Sequence, residues 1–279
     1  MEKIIQQKLG GERALFNKKD LILEDVYFDF GESCLKECEN IEVYNTIFSW
    51  KYPMWYSKDI KCENVRLLET ARSGIWYTSN ISIINSTIDA PKTFRRSSNI
   101  KLENVSMVNA SETLWNCKDI NIKNVTAKGD YFGMNSKNIV IDRLNLTGNY
   151  CFDGCSNIRI KNSSLMAKDS FWNCDDVIVK DSTIIGEYLG WNSSNITFIN
   201  CTIQSLQGFC YMKDVKLVNC KLINTTLSFE YSSVDADIVS NIDSIKNPIS
   251  GNIKAKHVDE IIIDENKIEG SNCKIEQDN

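Results

Sequence analysis

Apolar and polar residues alternate along most of this chain, and the alternation recurs at a fixed interval. An Asn or Asp followed by Ile, Leu or Val stands at Asp20, Asn40, Asp59, Asn80, Asn99, Asp119, Asn138, Asn157, Asp176, Asn195 and Asp214. The spacing is 19 to 21 residues and settles at 19 from Asp119 onward. With that residue as an anchor, one position past it is apolar in every unit (Leu21, Ile41, Ile60, Ile81, Ile100), and so is the third (Leu23, Val43, Cys62, Ile83, Leu102). The residues between are polar, so the period is two and the segment is a strand with one buried face. Five past the anchor stands Asn in most units (Asn45, Asn64, Asn85, Asn104, Asn124), Asp at Asp25 and Asp181, and Arg only at Arg143. A stack of amides at a corner lets each unit bond to the next. A further apolar column follows eight past the anchor, with Phe48, Leu67, Ile88 and Met107 among its members.

Nineteen residues are too few for a strand, a helix and two ordinary loops, and no 3.6-residue period appears. Three short strands joined by corners fit, with successive coils pairing in parallel about 4.8 Å apart. The predicted fold is all-β: a single-domain right-handed parallel β-helix of about 11 to 12 coils. Its left-handed counterpart runs on hexapeptides, which 19 does not divide into, and a leucine-rich repeat would show Leu where this core is β-branched. Residues 1–19 are expected to form a cap and a first partial coil, and 20–230 the β-helix. Residues 231–279, where the register fails, are expected to form irregular closing coils over an otherwise open end.

The repeat explains the cysteines. Cys38, Cys117, Cys155 and Cys174 share a column two before the anchor with Ser57, Thr78, Ser97, Ser136 and Ser193. A small residue is wanted at an inward corner there, so these are structural thiols. The chain has eleven Cys, no CxxC pair, and one His, His257, outside the Cys-rich region, so no metal or other cofactor is expected. The Asn-x-Ser/Thr matches are products of the Asn column. A formal charge of −5 argues against a nucleic-acid or anionic-membrane partner. No apolar run approaches the roughly 20 residues of a membrane span. The opening segment lacks the features of a signal peptide, so a cytoplasmic location is expected.

Five of the six tryptophans share one row, four before the anchor: Trp55, Trp76, Trp115, Trp172 and Trp191. Arg95, Met134 and Asp153 fill the same row. Since the residue five before the anchor is apolar and inward, this row is expected to face solvent. Around it stand Tyr56, Tyr77, Arg96, Asn116, Asn135, Asn173 and Asn192 on one side, and Tyr131, Tyr150, Asp169, Tyr188 and Glu112 on the other. Three readings fit an aromatic band of this kind. It is a groove in which rings stack on a saccharide or sugar conjugate, a seam for a partner protein or a second copy of the chain, or a row covered by the protein's own loops or packed into a wide core. If there is chemistry, a hydrolase, lyase or isomerase reaction would fall to Asp153 as an acid among rings, with Glu112, Asp130, Asp169 or Glu187 as its partner and Arg95 and Arg96 as an anion clamp.

Several segments also resemble one bacterial family: "GGERALF" (Gly10 to Phe16), "KYPMWY" (Lys51 to Tyr56), "GIWYT" (Gly74 to Thr78), "APKTFRR" (Ala90 to Arg96), "ETLWNC" (Glu112 to Cys117), "KGDYFGMNSKN" (Lys128 to Asn138), "GNYCFDG" (Gly148 to Gly154) and "GEYLGWNS" (Gly186 to Ser193). It is the domain-of-unknown-function family numbered 3737, and the likeness covers nearly the whole chain. The family is similar to pectin-lyase-like right-handed β-helices, which implies the fold read above and, by analogy alone, carbohydrate. The resemblance implies no established activity. The chain departs from polygalacturonases in having no Gly-His-Gly segment and no His in its coils.

Overall fold

In the computed structural model, residues 1–268 and 270–278 are described. The chain is a parallel β-solenoid with almost no helix, and it divides into two compact units, Met1–Leu146 and Thr147–Asn279.

In the first unit the anchor strands Lys19–Glu24, Glu39–Tyr44, Lys58–Glu63, Ser79–Ile88 and Ser98–Met107 stack in parallel. The register follows the sequence columns: Leu21 faces Ile41, then Ile60, Ile81 and Ile100, while Leu23 faces Val43, Cys62, Ile83 and Leu102. These side chains are almost fully buried. Each such Ile or Leu contributes about 1.5–3 kcal/mol of burial, and slipping by one residue would turn all of them outward. The second strand is only two residues long in the early coils, as at Ile47–Phe48 and Arg66–Leu67. In Ser79–Ile88 and Ser98–Met107 it fuses with the first strand through the Asn corner. The expected third strand is slight: Ile75–Trp76 pairs with Phe94–Arg95, and Arg95 with Trp115 by a single bridge.

The second unit repeats the plan with Ser156–Lys161, Asp175–Lys180 and Ser194–Ile199, whose columns run Ile158, Val177, Ile196. Aromatic rings fill its core, Phe152 stacking on Phe171 and Phe209 on Phe229.

The solenoid has about 14 turns, more than the 11 to 12 expected. Parallel pairing begins earlier than the anchor motif, since Glu2–Ile5 and Lys8–Leu9 pair with the next coil. It also outlasts the motif. The register shifts between Leu217 and Cys220, yet Ser233–Ile238, Ser250–Ala255 and Asn272–Gln277 continue the ladder.

The column of small residues proves to be a column of donors. Ser57 Oγ donates to the Leu35 carbonyl at 2.6 Å, Ser136 to Leu114 at 2.6 Å, and Cys38 Sγ to Leu15 at 3.1 Å. In the second unit Cys174 Sγ donates to Phe152 at 2.9 Å and Ser193 to Phe171 at 2.6 Å. Ser, Thr and Cys interchange there because each is small and brings one hydrogen to a buried carbonyl. All the cysteines are free and all but Cys273 are buried. Burial pushes the Cys62 and Cys117 thiols up to about 12, which leaves them inert.

Candidate functional site

The tryptophan row is built from the corner that precedes each anchor strand. The residue seven before the anchor sits in the left-handed region (Ser73 φ 53°, Lys92 φ 56°, Tyr131 φ 58°), which leaves its carbonyl at the edge of the coil. The tryptophan of the preceding coil reaches that carbonyl. Trp55 Nε1 donates to Ser73 O at 2.6 Å, Trp76 to Lys92 O at 2.8 Å and Trp115 to Tyr131 O at 2.7 Å. Each ring is therefore pinned between coils and half-buried.

The ring faces are also occupied. Trp55 and Trp76 stack with centroids 5.1 Å apart and planes 6° from parallel. Arg95 continues the stack, its Cζ 4.7 Å from the Trp76 ring and 4.6 Å from Trp115. Such a guanidinium is worth about 0.5–2 kcal/mol over each face. Arg95 Nη2 bonds to Glu112 at 3.2 Å, and Lys92 Nζ reaches the same carboxylate oxygen at 3.2 Å. Outside this stack lies a second one, Tyr56 on Tyr77 at 4.7 Å and 2°.

In the second unit Trp172 donates to Tyr188 O and Trp191 to Gln207 O, both at 2.7 Å. Their rings stack at 5.7 Å. Tyr150 and Tyr188 pack edge-on against Trp172 and Trp191. Asn192 donates to Asn173 Oδ1 at 2.7 Å, and Asn173 donates to Asp153 Oδ1 at 2.8 Å. The Asp153 carboxylate thus ends an amide ladder. Asp169 is buried, and burial raises its pKa, with Lys168 pulling it down and Glu187 pushing it up.

The first unit thus brings Trp55, Trp76, Arg95, Trp115 and Glu112 into one assembly, with Tyr56, Tyr77 and Arg96 beside it. Tyr131 packs edge-on to Trp115, and Asn116 and Asn135 lie on exposed left-handed corners. The second unit brings Trp172, Trp191, Tyr150 and Tyr188 together, with Asp153, Asn173 and Asn192 in the ladder alongside.

The outward side of the anchor strands carries concavities of its own. In the first unit a concavity of about 460 Å³ is lined by Asn40, Asp59, Asn80 and Asn99 together with Glu42, Lys61, Ser82 and Lys101. The anchors form their own ladder: Asn40 donates to Asp20 at 2.6 Å, Asn80 to Asp59, and Asn99 to Asn80 at 2.9 Å. Lys61 pairs with Glu42 at 3.2 Å, and hydrogen bonds from Tyr44 and Lys61 hold the Glu42 carboxyl below its ordinary value. In the second unit a concavity of about 610 Å³ is lined by Asp176, Asn195, Thr197, Asp214, Lys216 and Asp235, among others. Arg159 grips Asp176 with two bonds of 2.8 and 3.0 Å. The signal was present in the alternation, since the anchor and the residue two past it must point outward when one and three past it point inward. Among the described residues no His, Cys, Asp or Glu group is arranged to hold a metal ion, and no helix is long and apolar enough to cross a membrane.

Residues 2–276 match the family described as "Protein of unknown function (DUF3737)". The chain belongs to that family. No curated protein matches it in sequence. Among solved structures it is similar to the A-module of a mannuronan C-5 epimerase from Azotobacter vinelandii, at 12% identity over 98% of this chain and 87% of that one, with a TM-score of 0.32. A tailspike protein of Escherichia coli bacteriophage HK620, solved with a pentasaccharide, aligns at 10% identity over 98% and 74% of the two chains, with a TM-score of 0.46. PfbA, a surface adhesin of Streptococcus pneumoniae, aligns at 9% identity over 94% and 80%, with a TM-score of 0.32. At these identities and scores the alignments carry no argument about what this chain binds or does.

Proposed function

We propose that this member of the family is a binding solenoid for a neutral, hydroxyl-rich ligand of the oligosaccharide class, held on the outward face of its anchor strands. The observation that carries the reading is the first unit's concavity, walled by a ladder of anchor amides and carboxylates with Glu42, Lys61, Ser82 and Lys101 beside it. An Asn amide in such a ladder spends one hydrogen and its carbonyl on its neighbours. Its second N–H is left for a ligand hydroxyl. Repetition of the same groups one coil apart suits a ligand that itself repeats.

Charge narrows the class. The lining of the first unit balances Glu42 and Asp59 against Lys61 and Lys101. That of the second sets Asp176, Asp214 and Asp235 against Lys216. Neither supports a phosphodiester chain, which needs a basic wall. A peptide added as a strand would need a free sheet edge, and these walls are strand faces. The tryptophan row supports sugar stacking poorly, because the Trp55 and Trp76 faces cover one another. Catalysis is not part of the proposal. Glu112 is ion-paired to two cations, and the Asp153 carboxylate accepts from Asn173.

The test is calorimetric titration of the full chain with a panel of neutral oligosaccharides, alongside Ser82→Trp and Thr197→Trp, which fill the two concavities. Binding that each block weakens at least about tenfold, equivalent to 1.4 kcal/mol, is the expected outcome. No binding across the panel, or binding that ignores both blocks, would overturn the proposal.

A further inference from the structure

The row three before the anchor is a left-handed corner in every coil. Asn is its commonest occupant, at Asn17, Asn116, Asn135, Asn173 and Asn192, with φ between 52° and 56°. Asn is among the residues that tolerate this conformation. In four successive coils of the first unit the corner is instead Glu37, Tyr56, Tyr77 and Arg96, at φ 59°, 57°, 58° and 50°. A bulky residue there costs of order 1 kcal/mol or more. Neighbouring departures from the local rule are the kind of break that a functional surface explains.

Tyr56, Tyr77 and Arg96 form one assembly. Tyr56 and Tyr77 are 51% and 36% exposed and lie parallel at 4.7 Å. Lys36 Nζ sits 5.8 Å from the Tyr56 ring, and Arg96 Cζ 5.8 Å from the Tyr77 ring. The result is a cation at each end of a stacked pair of rings, Lys36 being shared with Glu37 at 3.7 Å, beside the Trp55–Trp76–Arg95–Trp115 stack. Arg96 is exposed and has no ion pair among the described residues. That leaves an unneutralised guanidinium on a chain whose formal charge is −5.

We infer that the Lys36–Tyr56–Tyr77–Arg96 ladder is a docking surface for an acidic segment of a partner protein. Tyr and Arg dominate protein-interface hot spots. The rings are already stacked, so little side-chain freedom is lost on binding. The guanidinium of Arg96 offers a carboxylate a two-pronged bond. With their faces closed against each other, the tyrosines present edges and hydroxyls rather than a platform for a sugar ring. This partner is separate from the saccharide proposed above, whose concavity is lined by other residues.

The experiment is fluorescence anisotropy of the full chain with fluorescein-labelled oligo-glutamate at low ionic strength, with unlabelled polygalacturonate as competitor and oligo-lysine as control. The key variant is Arg96→Asn, which restores the residue the corner prefers, so its thermal stability holds or rises and any loss of binding is not a loss of fold. Oligo-glutamate binding that falls about tenfold in Arg96→Asn and further with Lys36→Ala supports the assignment. No binding to wild type, or equal binding to Arg96→Asn, overturns it. Tight capture of polygalacturonate with no affinity for oligo-glutamate also overturns it, in favour of an acidic glycan.

Discussion

Left-handed backbone recurs at fixed corners of each coil, and the side chain standing there decides what the corner costs. Arg143 occupies one of them at φ 61°, in the column where Asn124 and Asn104 bond to each other at 2.7 Å. Arg143→Asn relieves the conformation and offers another amide to the ladder. It should stabilise the protein by roughly 0.5–1 kcal/mol, read as a rise in melting temperature. Asp169 is a different case. Burial raises its pKa in the folded chain, so the native state holds the proton more tightly than the unfolded one. Stability therefore falls as pH rises from the unfolded carboxyl value, about 3.9, through the raised folded value, and the penalty persists at neutral pH. Asp169→Asn, which also suits the left-handed φ of 56° at this position, should melt higher than wild type at neutral pH. The gap should close below about pH 4, and a series of melts across pH checks both halves.

At the scale of the strand, the first and third positions past the anchor were legible in the sequence because period-two burial leaves a direct trace in residue type. The third strand was less so. Among the described residues its named strands are only Ile75–Trp76 and Phe94–Arg95, although backbone bonds such as Met54 N to Gly74 O at 2.8 Å and Phe171 N to Cys151 O at 3.0 Å join coils on this side elsewhere. The orientation of the tryptophans was not legible at all. Each indole bonds to a carbonyl 16 to 18 residues ahead, and no alternation of apolar and polar positions records that reach. The consequence is measurable. Trp76→Phe keeps much of the stacking area but leaves the Lys92 carbonyl without its donor. It should cost about 1–3 kcal/mol in a denaturant melt, with little effect on saccharide binding. A tryptophan that served only a ligand would show the reverse.

For the whole molecule, the repeat made the solenoid readable from the sequence, and its limits came where the repeat ended. The early strand Glu2–Ile5 precedes the first anchor and the late strands follow the register shift at Leu217, so the extra turns fall outside the regular run of anchors. Tryptophan is rare, so the aromatic row stands out in the sequence. The amide-lined concavities do not, because polar residues between apolar columns look like an ordinary solvated face. The tryptophans bond coil to coil, and the anchor face is the one proposed to hold the ligand. The most direct test follows the side-chain amide and indole N–H resonances of the full chain by NMR during titration with the oligosaccharide that binds best. The account predicts shifts at the Asn80 and Asn99 amides and the Ser82 backbone N–H, with the Trp76 and Trp115 indole signals unmoved. Movement of the indole signals while the anchor amides stay in place would contradict it.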